Sequence, residues 1–287
     1  MIRFISGHCF PNADFGLWRT AGSCHPVVIM SSLRMHVHPV LGEPTLLMAF
    51  AGWNDACESA TAAVGFVDEF LRGVPLADID PDEYYDFTVT RPEVEYLAGR
   101  SGPIVWPSTE FRYGVTPDGV ELITGLGIEP HMRWRSYCEA VIELAVDMGV
   151  RRCLVLGAYL ADVVYSQPVV VNGFSSDPEL LERFAIEPTS YGGPTGIVGV
   201  LSNAMEEEGI EVLSLWAGLP HYISATPNPR GTLALLRKVA QYLDTPFDLG
   251  KLKQDTLRFE EEISRVVASD GELTDYVKEL KRREFAQ

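Results

Sequence analysis

Strand-like and helix-like segments alternate from residue 45 to residue 243, and this alternation constrains the fold more than any other feature. The strand-like segments are mostly apolar and of strand length, at 45–50, 153–158 and 211–217. Such runs are typical of strands covered on both faces. Apolar residues at helical spacing mark 56–71, 134–148, 195–208 and 232–243. This order predicts an α/β fold, with a mainly parallel sheet and helices on both faces.

Shorter segments complete the predicted core. Residues 85–90 and 121–125 are expected to be strands, and 104–106 a short strand between them. Pro194 suits the first position of the helix at 195–208, where a backbone N–H has no intrahelical partner.

The chain is expected to divide into three parts. Residues 1–40 mix Gly, Pro, Cys, His and Ser without a sustained period, which predicts an irregular, poorly ordered N-terminal extension. Residues 43–246 form the α/β core. Residues 247–287 carry two apolar stripes at helical spacing, one from Leu252 to Val266 and one from Leu273 to Leu280, and form a C-terminal helical appendage. The hypothesis that translation starts at Met30 or Met35 is tested by the intact mass of natively expressed protein.

The charge balance argues against binding to nucleic acid or to anionic membranes. The chain has 40 acidic and 23 basic residues, for a formal net charge of −17. Phosphate-rich partners need a concentrated basic patch, and the one basic cluster, at 281–283, is surrounded by acidic residues.

Cysteine and histidine usage indicates a reducing compartment and no bound metal. None of the five cysteines forms a Cys-x-x-Cys pair. Four histidines fall within residues 1–40, without the i, i+4 spacing of a helical metal site: His8, His25, His36 and His38. No apolar run approaches the ~20 residues of a membrane-spanning helix. We therefore expect a cytoplasmic protein with no metal and no cofactor.

Short catalytic signatures are absent, so candidate site residues come from the predicted topology. The sequence has no Gly-x-Ser-x-Gly, Walker A, His-Glu-x-x-His or Gly-x-Gly-x-x-Gly motif. In open α/β sheets, ligands bind beyond the carboxyl ends of the strands. The candidates at these positions are Asn54, Asp55, Glu129, Arg133, Arg135, Asp162, Tyr165, Gly193, Thr195, Gly196 and His221.

Each candidate residue could also have a purely structural role. Asn54 or Asp55 could face a ligand, or cap the following helix. Glu129 could act as an acid–base pair with His131, and Arg133 and Arg135 could clamp a carboxylate or phosphate. All four could instead be solvated charges in a loop.

The later segments leave the same choice open. Asp162 could be catalytic or could order its loop, and Tyr165 could donate to a ligand or anchor that loop. Gly193, Thr195 and Gly196 open a helix, whose free N–H groups could hold an anion, although Gly196 could simply permit close packing. His221 could shuttle protons or make a structural hydrogen bond.

Several of these segments resemble the proteasome assembly chaperone 2 family, and in particular its actinobacterial branch. The resemblance rests on ordered motifs: Ala49 to Ala56, Gly127 to Pro130 with Arg133-Trp134, Leu156 to Asp162, Gly193 to Gly199, Ser214 to Trp216, Pro220 to Tyr222, and Asn228-Pro229. It covers about residues 43 to 285.

The resemblance implies a phosphorylase/hydrolase-like α/β core, a homo-oligomer with a trimer favoured, and proteasome subunits as partners. The sequence also departs from the family pattern. Ala51 and Gly192 each replace an acidic residue, and residues 164–167 replace a Pro-His-Thr-Arg run. Each change removes a charged or titratable group near the expected cleft.

The leading hypothesis is a non-enzymatic, oligomeric interaction protein related to proteasome assembly chaperones. The alternative is a small-molecule enzyme or ligand sensor that binds an anionic or nucleoside-like ligand at the carboxyl ends of the strands. Loss of polarity around Ala51 and Tyr165 favours the first hypothesis, whereas Glu129, Thr195 and His221 favour the alternative.

Overall fold

The computed structural model describes residues 32–97 and 100–285. Its strands are β1 Leu33–Met35, β2 Thr45–Ala51, β3 Val74–Ile79, β4 Glu93–Leu97, β5 Arg100–Val105, β6 Thr109–Val115, β7 Glu121–Ile128, β8 Arg152–Ala161, β9 Val171–Ser175, β10 Glu187–Pro188 and β11 Glu211–Pro220. Its α-helices are α1 Ser59–Leu71, α2 Trp134–Asp147, α3 Pro178–Arg183, α4 Ile197–Glu207, α5 Pro229–Leu243, α6 Gly250–Ser269 and α7 Gly271–Phe285. No helix in the described ranges is both long and apolar enough to cross a membrane.

Nine of the described strands form one sheet, in the order β1-β3-β6-β7-β2-β8-β11-β9-β10. The four central strands of this order, β7, β2, β8 and β11, run parallel to one another. Both flanks join this centre through antiparallel pairs, β6 with β7 and β9 with β11. The predicted α/β fold is confirmed, with the parallel pairing concentrated at the centre of the sheet.

Helices cover both faces of the sheet. Along β2, Leu46, Met48 and Phe50 point into the core layer beneath α2 and α4. Leu47 and Ala49 point into the opposite layer, beneath α1 and α5. All five side chains have no exposed surface, which explains why the strand is apolar at every position from Leu46 to Phe50. Burying each large side chain contributes roughly 1.5–3 kcal/mol.

The predicted strand at residues 85–90 is wrong. Tyr85 is buried and donates its hydroxyl hydrogen bond to Ile128 O at 2.8 Å, so its apolar character reflects burial rather than strand alternation. Asp86 Oδ1 accepts from Thr88 N at 2.8 Å, which turns the chain instead. The strand of this region is β3, which was not predicted and pairs with β6.

Two predicted boundaries also change. Residues 1–31 of the predicted extension lie outside the described residues, but Leu33–Met35 form an edge strand antiparallel to β3. The helix expected from residue 195 begins at Ile197, with Gly196 as its N-cap, so Pro194 lies before the helix. Glycine gives the N-cap the space that the Asn54 side chain requires.

The two C-terminal helices pack on the loops that follow β8 and β11. Val164 and Ile223 from those loops share a small apolar cluster with Ile263 and Val267 of α6 and with two residues of α7, Val277 and Leu280. The predicted stripe on α6 is displaced by one residue at its end, because Val267 is buried and Val266 is exposed.

Candidate functional site

The four central strands end at one edge of the sheet, as parallel strands must. Ala51 of β2 is the register partner of Ile128 of β7, and Ala161 of β8 is the register partner of Pro220 of β11. Gly52 turns the chain directly after β2 with a φ of +113°, a conformation that only glycine adopts readily. The loops that carry the candidate site residues therefore meet at this edge.

Glu129 joins three of these segments. Its Oε1 accepts from Asn54 Nδ2 at 2.8 Å and from the backbone N–H of Ile197 at 2.9 Å. The second bond satisfies an N–H in the first turn of α4, where a negative charge also complements the helix dipole. The carboxylate thus connects the loop after β2, the loop after β7 and the start of α4.

Asn54 is completely buried beside this carboxylate. Its Oδ1 has no hydrogen-bond partner among the described residues. Gly196 lies against the same amide: an added Cβ would be 2.6 Å from Glu129 Oε1 and closer still to Asn54 Oδ1. The glycine is therefore required by packing, and the amide leaves one buried acceptor available.

These contacts disfavour an anion at the start of α4. The Ile197 N–H that could bind an anion is already bonded to Glu129, and the neighbouring free atom, Asn54 Oδ1, is an acceptor. Thr195 Oγ1 donates to Gly196 O at 3.5 Å, and Gly193 lies beside the Tyr191 ring. A hydrogen-bond donor fits this acceptor-rich corner better than an anion does.

Asp55 acts as a cap for α1. Its carboxylate accepts from the backbone N–H of Ala60 at 2.6 Å and of Thr61 at 3.1 Å, and also from the Thr61 hydroxyl. Burial raises the pKa of Asp55, and the bonds from Thr61 and Ala60 oppose that rise. Of the two roles considered for Asp55, the contacts fit that of a helix cap.

The loop after β7 does not assemble an acid–base pair or a cationic clamp. His131 Nδ1 accepts from the backbone N–H of Asp86 at 2.9 Å, and its ring contacts the edge of Tyr85. Arg133 pairs with Glu83 at 2.7 Å on the surface, and Arg135 is exposed in the first turn of α2. Glu129 and His131 therefore serve different contacts.

A second group forms where β8 and β11 end. Asp162 Oδ1 lies 3.0 Å from His221 Nδ1 and accepts from Tyr276 Oη of α7 at 3.3 Å. The rings of His221, Tyr222 and Tyr276 contact one another edge to face. In the adjoining loop, Tyr165 N donates to Tyr222 Oη at 2.9 Å, and Tyr165 Oη donates to Ser264 Oγ of α6 at 3.4 Å. These residues hold the C-terminal helices against the strand ends.

Comparison with known proteins agrees with this fold and this arrangement of motifs. The model of the PAC2 family matches residues 49–267. The chain belongs to the PAC2 family. A PAC2 family protein from Streptomyces avermitilis is 40% identical over 82% of this chain and 100% of its own, with a TM-score of 0.76. A proteasome-assembly chaperone homologue from Mycobacterium tuberculosis is 35% identical over 81% of this chain and 99% of its own, also with a TM-score of 0.76.

More distant proteins share the fold. PbaB of Pyrococcus furiosus, an archaeal proteasome activator, is 16% identical over 83% of this chain and 99% of its own, with a TM-score of 0.67. A search of curated proteins found no match.

This PAC2 chain also has a structural residue that no sequence motif indicated. Arg230 of α5 is only 8% exposed, and its Nε donates to Glu260 Oε1 of α6 at 2.9 Å. Its two terminal nitrogens donate to the backbone carbonyls of Tyr165 and Gln167. One guanidinium thus ties the loop after β8 to α5 and α6. The partner carboxylate lies thirty residues away in sequence, so no local pattern indicated the pair.

The described part of this PAC2 chain contains no arrangement of side chains that would support metal binding. Within residues 32–97 and 100–285, no group of three His, Cys, Asp or Glu side chains is placed to hold an ion. His36 Nε2 lies 2.8 Å from Asp78 Oδ1, as one member of a surface pair. His8 and His25 lie outside the described residues.

Proposed function

We propose that this PAC2 protein is a non-enzymatic, homo-oligomeric interaction protein, related to proteasome assembly chaperones, that binds a protein partner at the carboxyl edge of its sheet. The observation that carries the proposal is the exposed Trp53, which is 63% exposed between the ends of β7 and β8. The polar residues beside it, Asn54, Asp55 and Glu129, hold the fold together. Because these polar side chains are used in internal contacts, we expect this edge to bind a partner through its exposed side chains.

The chemistry of that surface favours protein recognition. Trp53 is accompanied at the same edge by two further exposed apolar side chains, Met132 after β7 and Leu160 near the end of β8. Tryptophan is strongly enriched among residues that dominate binding energy at protein interfaces. A net charge of −17 favours encounter with a partner that carries a basic patch.

Proteasome subunits are the partner class that we propose. The support comes from the family and from its relatives, which include a proteasome-assembly chaperone homologue and an archaeal proteasome activator. A trimer is the favoured assembly, as the family resemblance implies, and the cytoplasm is the proposed location, in keeping with cysteine usage that suits a reducing compartment.

The test is a crosslinked pull-down from cells that express tagged wild-type protein or tagged Trp53→Ala. We expect proteasome α or β precursors with the wild type, and at least a tenfold lower yield with the variant. Val115→Ala is the matched control, because Val115 is 51% exposed at the opposite edge of the sheet, where it is the register partner of Glu121 at the start of β7. Wild-type recovery without proteasome subunits, or equal loss with both variants, would overturn the proposed role.

One observation supports a second candidate, a ligand sensor or small-molecule enzyme. Asn54 Oδ1 is a buried acceptor without a partner among the described residues, and such groups cost about 1–3 kcal/mol unless a donor reaches them. A nucleoside-like ligand carries amino and hydroxyl donors. A thermal-shift screen of nucleosides distinguishes this candidate, because a ligand of the folded state raises the melting temperature. We expect any such shift to be absent in Asn54→Ala, and no shift in the wild type would remove the candidate.

A further inference from the structure

The hairpin formed by β4 and β5 exposes apolar side chains along its length. It is a two-stranded sheet of its own, separate from the nine-stranded sheet. Five of its large apolar side chains, including Trp106 at its base, are between 37% and 70% exposed: Val94, Tyr96, Ile104, Val105 and Trp106. An isolated two-stranded hairpin is marginally stable in water, because it lacks a packed face. This hairpin therefore gains stability from a partner that covers it.

The register of the hairpin places apolar groups on both of its faces. Val94 pairs with Ile104, and Glu93 pairs with Val105, so that consecutive pairs point to opposite sides. At the base, the Trp106 ring contacts Phe87 edge to face, with ring centroids 4.9 Å apart, which fixes the hairpin to the body of the protein. Pro103 in β5 has no N–H to donate, which favours packing on a face over strand addition.

The charges on the hairpin indicate which partner covers it. Arg91, Glu93, Glu95 and Arg100 are all exposed, and none makes an ion pair with the described residues. With Arg91, which lies two residues before β4, two positive and two negative charges leave residues 91–105 neutral, on a chain with a net charge of −17. Two copies of this acidic chain repel one another least where they meet through a neutral patch. The patch is also self-complementary, since the arginines of one copy can pair with the glutamates of the other.

We propose that the β4–β5 hairpin is the self-association element of this protein, and that a second copy of the same chain packs on its exposed face. In a closed ring of copies, such as the trimer, an arginine of one hairpin pairs with a glutamate of the next, and the same match repeats at every contact. The inference rests on the homo-oligomer of the proposed function and assigns the surface that forms it.

Charge reversal tests the proposal by sedimentation equilibrium and multi-angle light scattering. The variant E93R/E95R gives the hairpin four positive charges, and R91E/R100E gives it four negative charges. We expect each variant alone to associate at least tenfold more weakly than the wild type, and an equimolar mixture to recover association as a mixed oligomer. The control, E261R/E262R, makes the same charge change on exposed positions of α6 and leaves the association unchanged.

An apolar variant provides an independent measurement. Ile104→Ser with Val105→Ser removes one exposed side chain from each face and keeps all four charges, so we expect weaker association here too. Circular dichroism establishes that each variant is folded. A wild type that is monomeric at tens of micromolar, unchanged association in both hairpin variants, or equal disruption by the control would overturn the inference. The pull-down with Trp53→Ala is unaffected by these outcomes, so a failure here is separable from a failure of the partner role.

Discussion

Asp162 Oδ1 lies 3.0 Å from His221 Nδ1, because the two residues follow Ala161 and Pro220, which are register partners in adjacent parallel strands. The same carboxylate oxygen accepts from Tyr276 of α7. The ends of β8 and β11 therefore provide the polar and aromatic side chains against which α7 packs. This relationship gives Asp162 and His221 a part in holding the C-terminal helices.

Removal of the Tyr276 ring should loosen α7 without unfolding the core. We expect Tyr276→Ala to lower the free energy of unfolding by about 1–2 kcal/mol, because it loses ring contacts with His221 and Tyr222. Hydrogen exchange followed by mass spectrometry should show faster exchange in residues 271–285 and unchanged exchange in β2. Tyr276→Phe keeps the ring and loses a hydrogen bond to an exposed carboxylate, so its cost should stay below about 0.5 kcal/mol. Equal effects of the two variants would contradict this account.

Arg230 should contribute more to stability than the arginines on the surface. Arg230→Met leaves Glu260 without its partner and two backbone carbonyls without donors, so we expect a loss of about 2–4 kcal/mol in urea unfolding. Arg230→Lys should recover little of this, because an ammonium cannot reproduce the planar fork of donors. Arg258→Met is the control: Arg258 is exposed on α6 and pairs with Asp255 only at 3.6 Å. A cost for Arg230→Met as small as that of Arg258→Met would show that the buried contact is unimportant.

The central strands could be predicted because their sequences have one explanation. In β2, every residue from Leu46 to Phe50 is buried. A continuous apolar run of strand length predicts such a strand, covered on both faces. The flanking strands β3 and β6 mix buried and exposed positions with a Pro and several charges, so their alternation is obscured. Residues 85–90 showed the opposite error, because the buried Tyr85 and the half-buried Phe87 lie in an irregular turn but resemble a strand in their spacing.

The candidate site was predictable in position but not in its contacts. Parallel strands share an edge, so topology alone placed Glu129, Asp162 and His221 at that edge. The sequence could not state that Glu129 is occupied by Asn54 and Ile197, since these three residues are far apart in the chain. The exposure of Trp53 could not be predicted either, because a tryptophan that follows a strand can be a packed residue or an interface residue.

Gly196 and Gly192 should respond oppositely to substitution by alanine. A Cβ at Gly196 would be 2.6 Å from Glu129 Oε1 and closer still to Asn54 Oδ1, so we expect Gly196→Ala to destabilise the fold by about 1–3 kcal/mol. A Cβ at Gly192 meets nothing within 4 Å, and Gly192→Ala should be neutral or stabilising by up to about 1 kcal/mol. Guanidinium unfolding of both variants makes the comparison. A harmless Gly196→Ala would mean that the contact with Asn54 is looser than the geometry implies.

Alkaline pH should destabilise the fold partly through Cys153, a free thiol that is completely buried in β8. Burial raises the pKa of Cys153 from 9.0 to about 12. A raised pKa in the folded state gives stability that is complete below pH 9 and is lost as the pH rises towards 12, at about 1.4 kcal/mol per pH unit. Urea unfolding of Cys153→Ala at several pH values should show a shallower decline across this window. Val155→Ala, a non-titrating change in the same strand, should lower stability equally at every pH, and parallel curves for Cys153→Ala and the wild type would rule out the thiol as a cause.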